Sequence, residues 1–329
     1  MTVDRRKFLQ GTTAMAAGML TAASFNVRRA GAADTVPVGV IIPGSISDRG
    51  WMESGYNGMV AAREKLADKI EITSIENVEM ADMEQALTAL AMSSVLVVGA
   101  GGQCEAATAV VAPRFPHVKF SVIGGGGGQD IANMVVTDGR QAQIAYVAGV
   151  AAALLTKSNV ISFVGGIELP PIVNASIEFG NGAKSINPDI KYFPTLTGDF
   201  DDVAKAKQAT LSAINQGADI HYHIMNLGLR GLEQAARERG THIIGSYYDR
   251  CGSDPIYTAF SITGTGYMVQ DQINRFLSDT WQAGFMPYGL EAGPEASDFA
   301  FCNPDPEKIA KIDEVKQQII DGTITTLPS

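Results

Sequence analysis

The stretch VPVGVIIPGSISDRGWMESGYNGMVAAREKLAD (36–68) decides the predicted fold. Its first eight residues form an apolar run, as in a strand that is buried on both faces. A Gly/Ser/Asp segment then has the composition of a turn, and the remainder repeats apolar residues at helical spacing. We therefore predict a strand at 36–43, a turn and a helix at 51–68, with the large side chain of Trp51 where the turn meets the helix.

The same order of elements recurs along the chain. Further apolar runs alternate with amphipathic segments, and they lie at 70–77, 94–101, 118–124, 133–138, 159–166, 190–198, 219–226, 241–249 and 256–264. This alternation is typical of parallel sheets flanked by helices. We predict an α/β protein with two doubly wound lobes whose strand order repeats. A helix at 267–284 and a Pro/Gly-rich ending complete the prediction.

Composition limits the possible functions. The chain has 329 residues, of which 46% are hydrophobic and 18% charged, and its net charge is −10. An acidic protein of this kind is a poor nucleic-acid binder, since phosphate neutralisation needs a basic surface. The three cysteines Cys104, Cys251 and Cys302 match no zinc-site spacing. One disulfide between any two of them is possible in an oxidising compartment, but the sequence does not assign it.

The first 33 residues have the pattern of an export signal. Arg5 and Arg6 precede Phe8 and a modestly apolar stretch that ends in small residues, AGAAD. The paired arginines resemble the twin-arginine signal, with a basic Sec signal as the alternative. We therefore expect cleavage near Ala33 and a periplasmic protein. Since no cysteine lies near that point, we expect no lipid anchor.

Polar and aromatic residues follow the predicted strands. Parallel strands place such residues at one edge of the sheet, where open α/β sheets bind ligands. The candidate ligand-binding residues are Ser47, Asp48, Trp51, Gln103, Asn174, Phe200, Asn226, Tyr248 and Asp249. Aromatic faces with amide and carboxylate edges suit a flat, polar, uncharged heterocycle. A phosphate or carboxylate ligand would instead require arginines or lysines, which are largely missing from these positions.

Several candidates have a second interpretation. Trp51 could anchor the following helix in the core. Asp48 could cap that helix, with or without a ligand contact. Asp249 could be a turn residue. Because Tyr247 and Tyr248 alternate across a strand end, at most one of them faces the cleft.

No catalytic or cofactor motif is complete. The segment VLVVGAGGQC (95–104) gives half of a dinucleotide-binding fingerprint, with Cys104 where the third glycine belongs. His221 and His223 share one face of a strand, but no third metal ligand stands nearby, so strand packing is favoured over a metal site. We therefore expect no enzyme activity, no metal and no cofactor.

Several longer segments together resemble one family. They are VGVIIPGSISDRGWMESGYNGMVAA (38–62), TDGRQAQIAYVAGVAAALLTKSNVISFVGG (137–166), NPDIKYFPTLTGDFDDVAKAKQATLSAINQGADI (187–220) and ERGTHIIGSYYD (238–249). In their order they resemble the basic membrane protein family of ABC-transporter substrate-binding proteins, the purine nucleoside receptor group. The resemblance covers roughly residues 34–300 and is specific in the order of its segments.

The resemblance implies a type I periplasmic-binding-protein fold with a three-segment hinge. The crossings between lobes would fall near Asp138, within 258–263 and near Ala296. The N-terminal lobe would then comprise 34–137 plus 263–295, and the C-terminal lobe 138–262 plus 296–329.

The resemblance also implies ligand contacts. Trp51 matches the family's first aromatic stacking position, and Phe200 lies near the second-lobe aromatic position. Asn226 and Asp249 fall at strand ends that carry polar contacts. Nucleoside binders of the family place a lysine against the ribose in the segment that crosses back to the N-terminal lobe. Here that segment reads YTAFSITGTGYMV (257–269) and contains no lysine. The expected ligand is therefore a purine-type nucleobase in preference to a nucleoside.

We thus expect a monomeric substrate-binding protein that binds its ligand between the lobes and presents it to an inner-membrane ABC permease. Two alternatives remain open from the residues. One is a periplasmic enzyme similar to a nucleoside hydrolase, and the other is a sensor for another small solute.

Overall fold

A computed structural model describes residues 35–128 and 130–328, so the predicted export signal lies outside the described residues. Over these residues the strands are β1 (Val36–Ile42), β2 (Ile70–Glu76), β3 (Leu96–Gly99), β4 (Lys119–Ile123), β5 (Met134–Asp138), β6 (Val160–Gly165), β7 (Lys191–Leu196), β8 (Ile220–Ile224), β9 (His242–Ser246), β10 (Tyr257–Thr263), β11 (Gly284–Pro287) and β12 (Ser297–Phe301). The α-helices of the same ranges are α1 (Trp51–Lys65), α2 (Met83–Ala91), α3 (Glu105–Val111), α4 (Gln141–Leu155), α5 (Pro170–Ile186), α6 (Val203–Asn215), α7 (Leu229–Arg239), α8 (Thr265–Leu277) and α9 (Pro306–Ile320).

The strands form two six-stranded sheets with matching strand order. The first has the order β11-β5-β4-β3-β1-β2 and the second β12-β10-β9-β8-β6-β7. The paired strands are parallel, except that β12 runs antiparallel to β10. This arrangement confirms the predicted α/β class with two doubly wound lobes and a repeated strand order.

The interior strands are buried and mostly apolar, although β8 contains His221 and His223. Every residue of β3, β5, β6 and β8 is buried, because helices cover both faces of each sheet. Edge strands are less buried, as in β7 and β11. Hydrophobic clusters lie on both sides of each sheet, and α4 packs between α5 and α9 in the second lobe. The candidate site is therefore supported by two sheets, each of which is packed against helices.

The chain passes between the two sheets three times. It leaves the first sheet after Asp138, returns to that lobe after Thr263 where α8 packs on α1, and passes again between β11 and β12. The residue limits of the two lobes stay predictions. Among the described residues, no helix has the length and apolar character that crossing a membrane requires.

The C-terminal part of the chain differs from the prediction. Helix α8 ends at Leu277 rather than at residue 284, and Asp279 follows in the left-handed region with φ 56°. The Pro/Gly-rich ending, for which we predict no strand or helix, contains β12 and α9, and β11 begins at Gly284 where the predicted helix would end. These strands are short and lie at sheet edges, so they lack the apolar run of a central strand. Helix α9 starts at Pro306 because proline fits the first helical position, and Asp305 caps it.

Candidate functional site

A cavity of about 380 Å³ lies between the lobes. Both lobes contribute to its lining, which consists of Trp51, Met52, Met80, Gly102, Gln103, Glu105, Gly124, Gly125, Gly126, Asp138, Gly139, Gln141, Leu169, Pro170, Pro171, Ile172, Phe200, Ile224, Asn226 and Tyr247. Most of these residues follow the carboxyl ends of strands, where the loops of a parallel sheet converge. The volume is within the range of small-molecule sites.

Trp51 lies at the centre of this lining and contacts both lobes. It is the first residue of α1, where the predicted helix also begins. Its indole N–H donates to the carbonyl of Ala100 at 3.2 Å. The ring of Tyr247 meets it edge to face, with centroids 6.2 Å apart. Gly124, at φ 80°, is packed so closely that a methyl group there would overlap the indole ring.

Asp48 bonds to the start of α1 and does not line the cavity. The side chain is 1% exposed. Its Oδ1 accepts from the backbone N–H groups of Gly50 at 2.8 Å and Glu53 at 3.0 Å, and its Oδ2 accepts from Met52 at 3.0 Å. Burial raises the pKa of Asp48 above its usual value, although these backbone bonds lower it. Asp48 therefore orients Trp51 through the helix terminus.

Three further sequence candidates line the cavity, namely Gln103, Phe200 and Asn226. The side-chain oxygen of Asn226 lies 3.4 Å from the backbone nitrogen of Trp51, across the cleft. Phe200 packs over Gly166, where a Cβ atom would overlap its ring. The structure thus brings two predicted aromatic residues and two predicted amides together.

Five candidates lie elsewhere, and their ligand role stays a prediction. Besides Asp48, these are Ser47, Asn174, Tyr248 and Asp249, none of which belongs to the lining. The amide of Asn174 donates to the carbonyl of Pro328 at 2.7 Å. Asp249 accepts from the backbone of Cys251 at 2.8 Å, as a turn residue does.

Tyr247, rather than the predicted Tyr248, lines the cavity. Strand β9 ends at Ser246, and Tyr247 adopts a left-handed conformation with φ 71°. This turn directs the ring of Tyr247 to the cavity, where it is 6% exposed. Burial raises the pKa of Tyr247 far above its ordinary value, so its hydroxyl is neutral.

Sequence reasoning missed several other polar lining residues. Glu105 starts α3, and its Oε2 accepts from the backbone N–H of Gly126 at 2.7 Å. Asp138 ends β5, and Gln141 begins α4 just beyond the first lobe crossing. The strand-end rule alone could have identified Asp138. Among the described lining residues, two are carboxylates and three are amides, and none is lysine or arginine.

An ion pair joins the lobes beside the cavity. Arg49 donates from both terminal nitrogens to Glu233 on α7, at 3.0 and 2.8 Å. The hydroxyl of Tyr257 donates to the same carboxylate at 2.6 Å, and Arg250 donates to the carbonyl of Arg49 at 2.7 Å. Burial raises the pKa of Glu233, but the bonds from Arg49 and Tyr257 outweigh it and leave that pKa below its usual value.

The cysteines and histidines have structural surroundings. Cys251 and Cys302 form a disulfide, which resolves the pairing that the sequence left open. Cys104 is free and buried, and burial raises its pKa to about 12. His221 bonds with Ser162 at 2.7 Å and Thr241 at 2.9 Å, consistent with strand packing. Within the described ranges, no three His, Cys, Asp or Glu side chains are grouped as a metal ion would require. The expectation of no metal and no cofactor stays a prediction.

Two known proteins with similar sequences are named as binding proteins. A purine-binding protein of Brucella abortus is 28% identical over 291 residues, which cover 87% of this chain and 81% of that protein. The ABC transporter nucleoside-binding protein BmpA of Lactococcus lactis is 28% identical over 253 residues, 70% of each chain.

Solved structures show the same fold. A solute-binding protein of an ABC transporter system from Aeropyrum pernix matches with a TM-score of 0.79 at 20% identity, over 90% of this chain and 94% of that one. This likeness confirms the predicted type I periplasmic-binding-protein fold. The family model described as Bmp, ABC transporter substrate-binding protein PnrA-like, matches residues 35–323. The chain therefore belongs to the Bmp family of PnrA-like ABC-transporter substrate-binding proteins.

Proposed function

We propose that this protein is a periplasmic receptor that binds a purine-type nucleobase between its lobes and delivers it to an inner-membrane ABC permease. The observation that carries the proposal is the cavity lining, which combines aromatic rings with amides and carboxylates and contains no lysine or arginine among its described residues. The names of the Brucella abortus and Lactococcus lactis relatives support a purine-type ligand.

The aromatic residues supply a surface for a flat ring. Trp51 is braced by Tyr247 and by its bond to Ala100, so its ring is held in position before a ligand arrives. A base that stacks on an aromatic side chain gains about 1–3 kcal/mol. Because this gain does not depend on ring substituents, stacking selects a flat heterocycle without choosing among purines.

The polar residues supply the edge contacts. Glu105 offers carboxylate oxygens, and Gln103 and Asn226 offer both acceptors and donors. A neutral purine has ring N–H groups and ring nitrogens that match such a set. A phosphorylated nucleotide would bring its negative charge to a lining that has two carboxylates and, among its described residues, no lysine or arginine, which disfavours it. The ligand class that fits is therefore an uncharged base.

The crossing at residues 257–269 supports a base in preference to a nucleoside. Nucleoside binders of the family that the sequence resembles carry a lysine in this segment, and residues 257–269 contain none. None of these residues belongs to the cavity lining in the described part of the chain either. A ribose would therefore lack the hydrogen-bond partner that the family supplies from this segment.

Delivery follows from closure of the two lobes. The three passages between the sheets act as a hinge about which the lobes close on the base. The closed protein is a monomer that presents the bound base to the permease. We also propose that the protein reaches the periplasm through the twin-arginine-like signal at 1–33, without a lipid anchor, and that it binds without chemical turnover.

The proposal is tested by thermal-shift titration of the purified protein with purine bases, nucleosides, nucleoside monophosphates and simple sugars. Binding to the native state alone raises Tm. We expect a rise with at least one purine base, a smaller rise with its nucleoside, and none with the monophosphate. A rise with a sugar alone would remove the ligand assignment, and release of free base from inosine or adenosine would show an enzyme instead.

A further inference from the structure

We propose that Arg49 and Glu233 form an inter-lobe clamp that sets the stability of the closed state, so that two residues outside the cavity lining control ligand affinity. This inference deepens the proposed function and rests on it for the identity of the ligand. The clamp itself is defined by contacts between the lobes, which do not depend on which ligand occupies the cavity.

The first half of the clamp is Arg49 in the loop after β1. Its backbone lies in the left-handed region, with φ 61°, which a non-glycine residue adopts at a cost. Two contacts hold it there: its backbone N–H donates to Glu53 of the same lobe at 2.8 Å, and, while the lobes are closed, its carbonyl accepts from Arg250 of the second lobe at 2.7 Å. The loop is therefore fixed in the conformation from which Arg49 reaches Glu233.

The second half is Glu233 on α7 in the other lobe. Both carboxylate oxygens bond with the guanidinium of Arg49, at 2.8 and 3.0 Å, in the two-pronged geometry that makes such pairs strong. Tyr257 adds a third bond at 2.6 Å, and Arg237 lies 3.7 Å away. Glu233 is 5% exposed, so water does not replace Arg49 while the lobes are closed.

The clamp belongs to closure rather than to folding of either lobe. Arg49 lies in the loop between β1 and α1 of the first lobe, and Glu233 lies on α7 of the second. When the lobes separate, the pair must break, and both groups regain water. When they close without Arg49, the buried carboxylate keeps Tyr257 and the more distant Arg237 but loses its two bonds from the Arg49 guanidinium, which is costly. The pair therefore favours the closed state only while both members are present.

The position of Arg49 links the clamp to the ligand. Arg49 precedes Trp51 by two residues, and the backbone nitrogen of Trp51 already lies 3.4 Å from Asn226 of the second lobe. Neither Arg49 nor Glu233 lines the cavity, so neither distinguishes one ligand from another. If a substitution lowers the fraction of the receptor that is closed, the Kd for every ligand rises by the same factor.

The experiment compares Arg49→Met, Glu233→Gln and the double variant with wild type by calorimetry, using adenine, hypoxanthine and adenosine. We expect the Kd of each single variant to rise at least tenfold, equivalent to about 1.4 kcal/mol. The factor should be equal for every ligand that binds. The Kd of the double variant should not exceed the higher of the two single-variant Kd values, because the two residues act as one unit.

The matched control is an ion pair within the second lobe. Lys207 on α6 and Glu238 on α7 are 2.6 Å apart and join two helices of the same lobe. Lys207→Met and Glu238→Gln should leave the Kd unchanged. The Tm of each ligand-free variant shows whether it is folded. If Arg49→Met is unstable, the Kd of Glu233→Gln tests the clamp, because glutamine retains the shape of the side chain.

Three results would overturn the clamp: single variants that bind as wild type does, losses that add in the double variant, or losses that differ between ligands. If no purine or nucleoside binds the wild type, the proposed function fails, and the clamp is then judged by small-angle scattering. In that case a larger radius of gyration for ligand-free Arg49→Met than for wild type supports the clamp, and an equal radius rejects it.

Discussion

Trp51 receives its position from three neighbours of different kinds. Asp48 caps the helix that begins at Trp51, Ala100 accepts the indole N–H, and Gly124 leaves room for the ring. The ring also packs against hydrophobic clusters of both lobes. A side chain held in this way can stack on a ligand without first losing rotamer freedom, which reduces the entropy cost of binding.

We predict that Trp51→Ala raises the Kd for the purine about 100-fold, or about 2.7 kcal/mol, because the stacking surface is lost. The Tm of the ligand-free protein should change little by comparison. Calorimetry and thermal unfolding measure the two quantities.

The control is the other tryptophan, Trp281, whose N–H donates to Ser121 at 2.9 Å and which does not line the cavity. Trp281→Ala should leave the Kd unchanged. A large loss of ligand-free stability in Trp51→Ala, with the Kd intact, would instead make Trp51 a core anchor.

Cavity residues can be predicted from the sequence where they follow the ends of parallel strands. They are missed where a single backbone dihedral angle determines which side chain faces the cavity. Gln103, Phe200 and Asn226 follow strands directly, so the convergence of parallel strand ends predicts them. Tyr247 was missed in favour of Tyr248 because its left-handed backbone, at φ 71°, reverses the expected alternation. No sequence pattern marks that reversal in a non-glycine residue.

At the level of elements, the interior strands were predictable and the edge elements were not. Strands β1, β3 and β6 are almost entirely apolar because helices cover both faces of their sheets. In contrast, β11 is four residues long, and Phe285 within it is 47% exposed. Only its pairing with β5 makes this segment a strand, and that pairing depends on the tertiary fold.

The loop between β9 and β10 is tied to the end of β12 by the disulfide Cys251–Cys302. It carries Tyr247, which lines the cavity, and Arg250, which bonds to Arg49. The bond closes a segment of chain with a sequence separation of 51. Cross-linking of such a segment restricts the unfolded chain.

We predict that reduction of this disulfide lowers the free energy of unfolding by about 2–4 kcal/mol. Urea denaturation with and without a thiol reductant measures the loss. The variant Cys251→Ser/Cys302→Ser should have the reduced stability from the outset and should not respond to reductant. An equal response of wild type and variant would show that the reductant acts elsewhere.

For the whole molecule, the ionisation of Glu233 links pH to stability. Its carboxylate faces Arg49, Arg237 and Tyr257, with Asp254 near Arg237 and Arg250 near Tyr257. The folded protein lowers the pKa of Glu233, so the charged form is stabilised relative to the unfolded chain. This contribution is fully present above the unfolded pKa of about 4.3 and is lost as the pH falls through the lower folded value.

We therefore predict that the difference in unfolding free energy between wild type and Glu233→Gln is constant from about pH 8 to pH 5 and shrinks below about pH 4. Urea denaturation at each pH measures it. The matched variant Glu238→Gln, at an exposed pair, should show a much smaller difference, because surface ion pairs contribute little. A Glu233→Gln difference that grows as the pH falls would contradict the direction of the pKa shift.

We propose that one purine base binds in the cavity between the lobes. Isothermal calorimetry of the purified protein with adenine, guanine and hypoxanthine tests this proposal directly, with adenosine, guanosine and inosine as the matched nucleosides. We expect one site per chain and, for at least one base, a lower Kd than for its nucleoside. Absence of heat with all three bases, while a nucleoside or a sugar binds at one site, would contradict it.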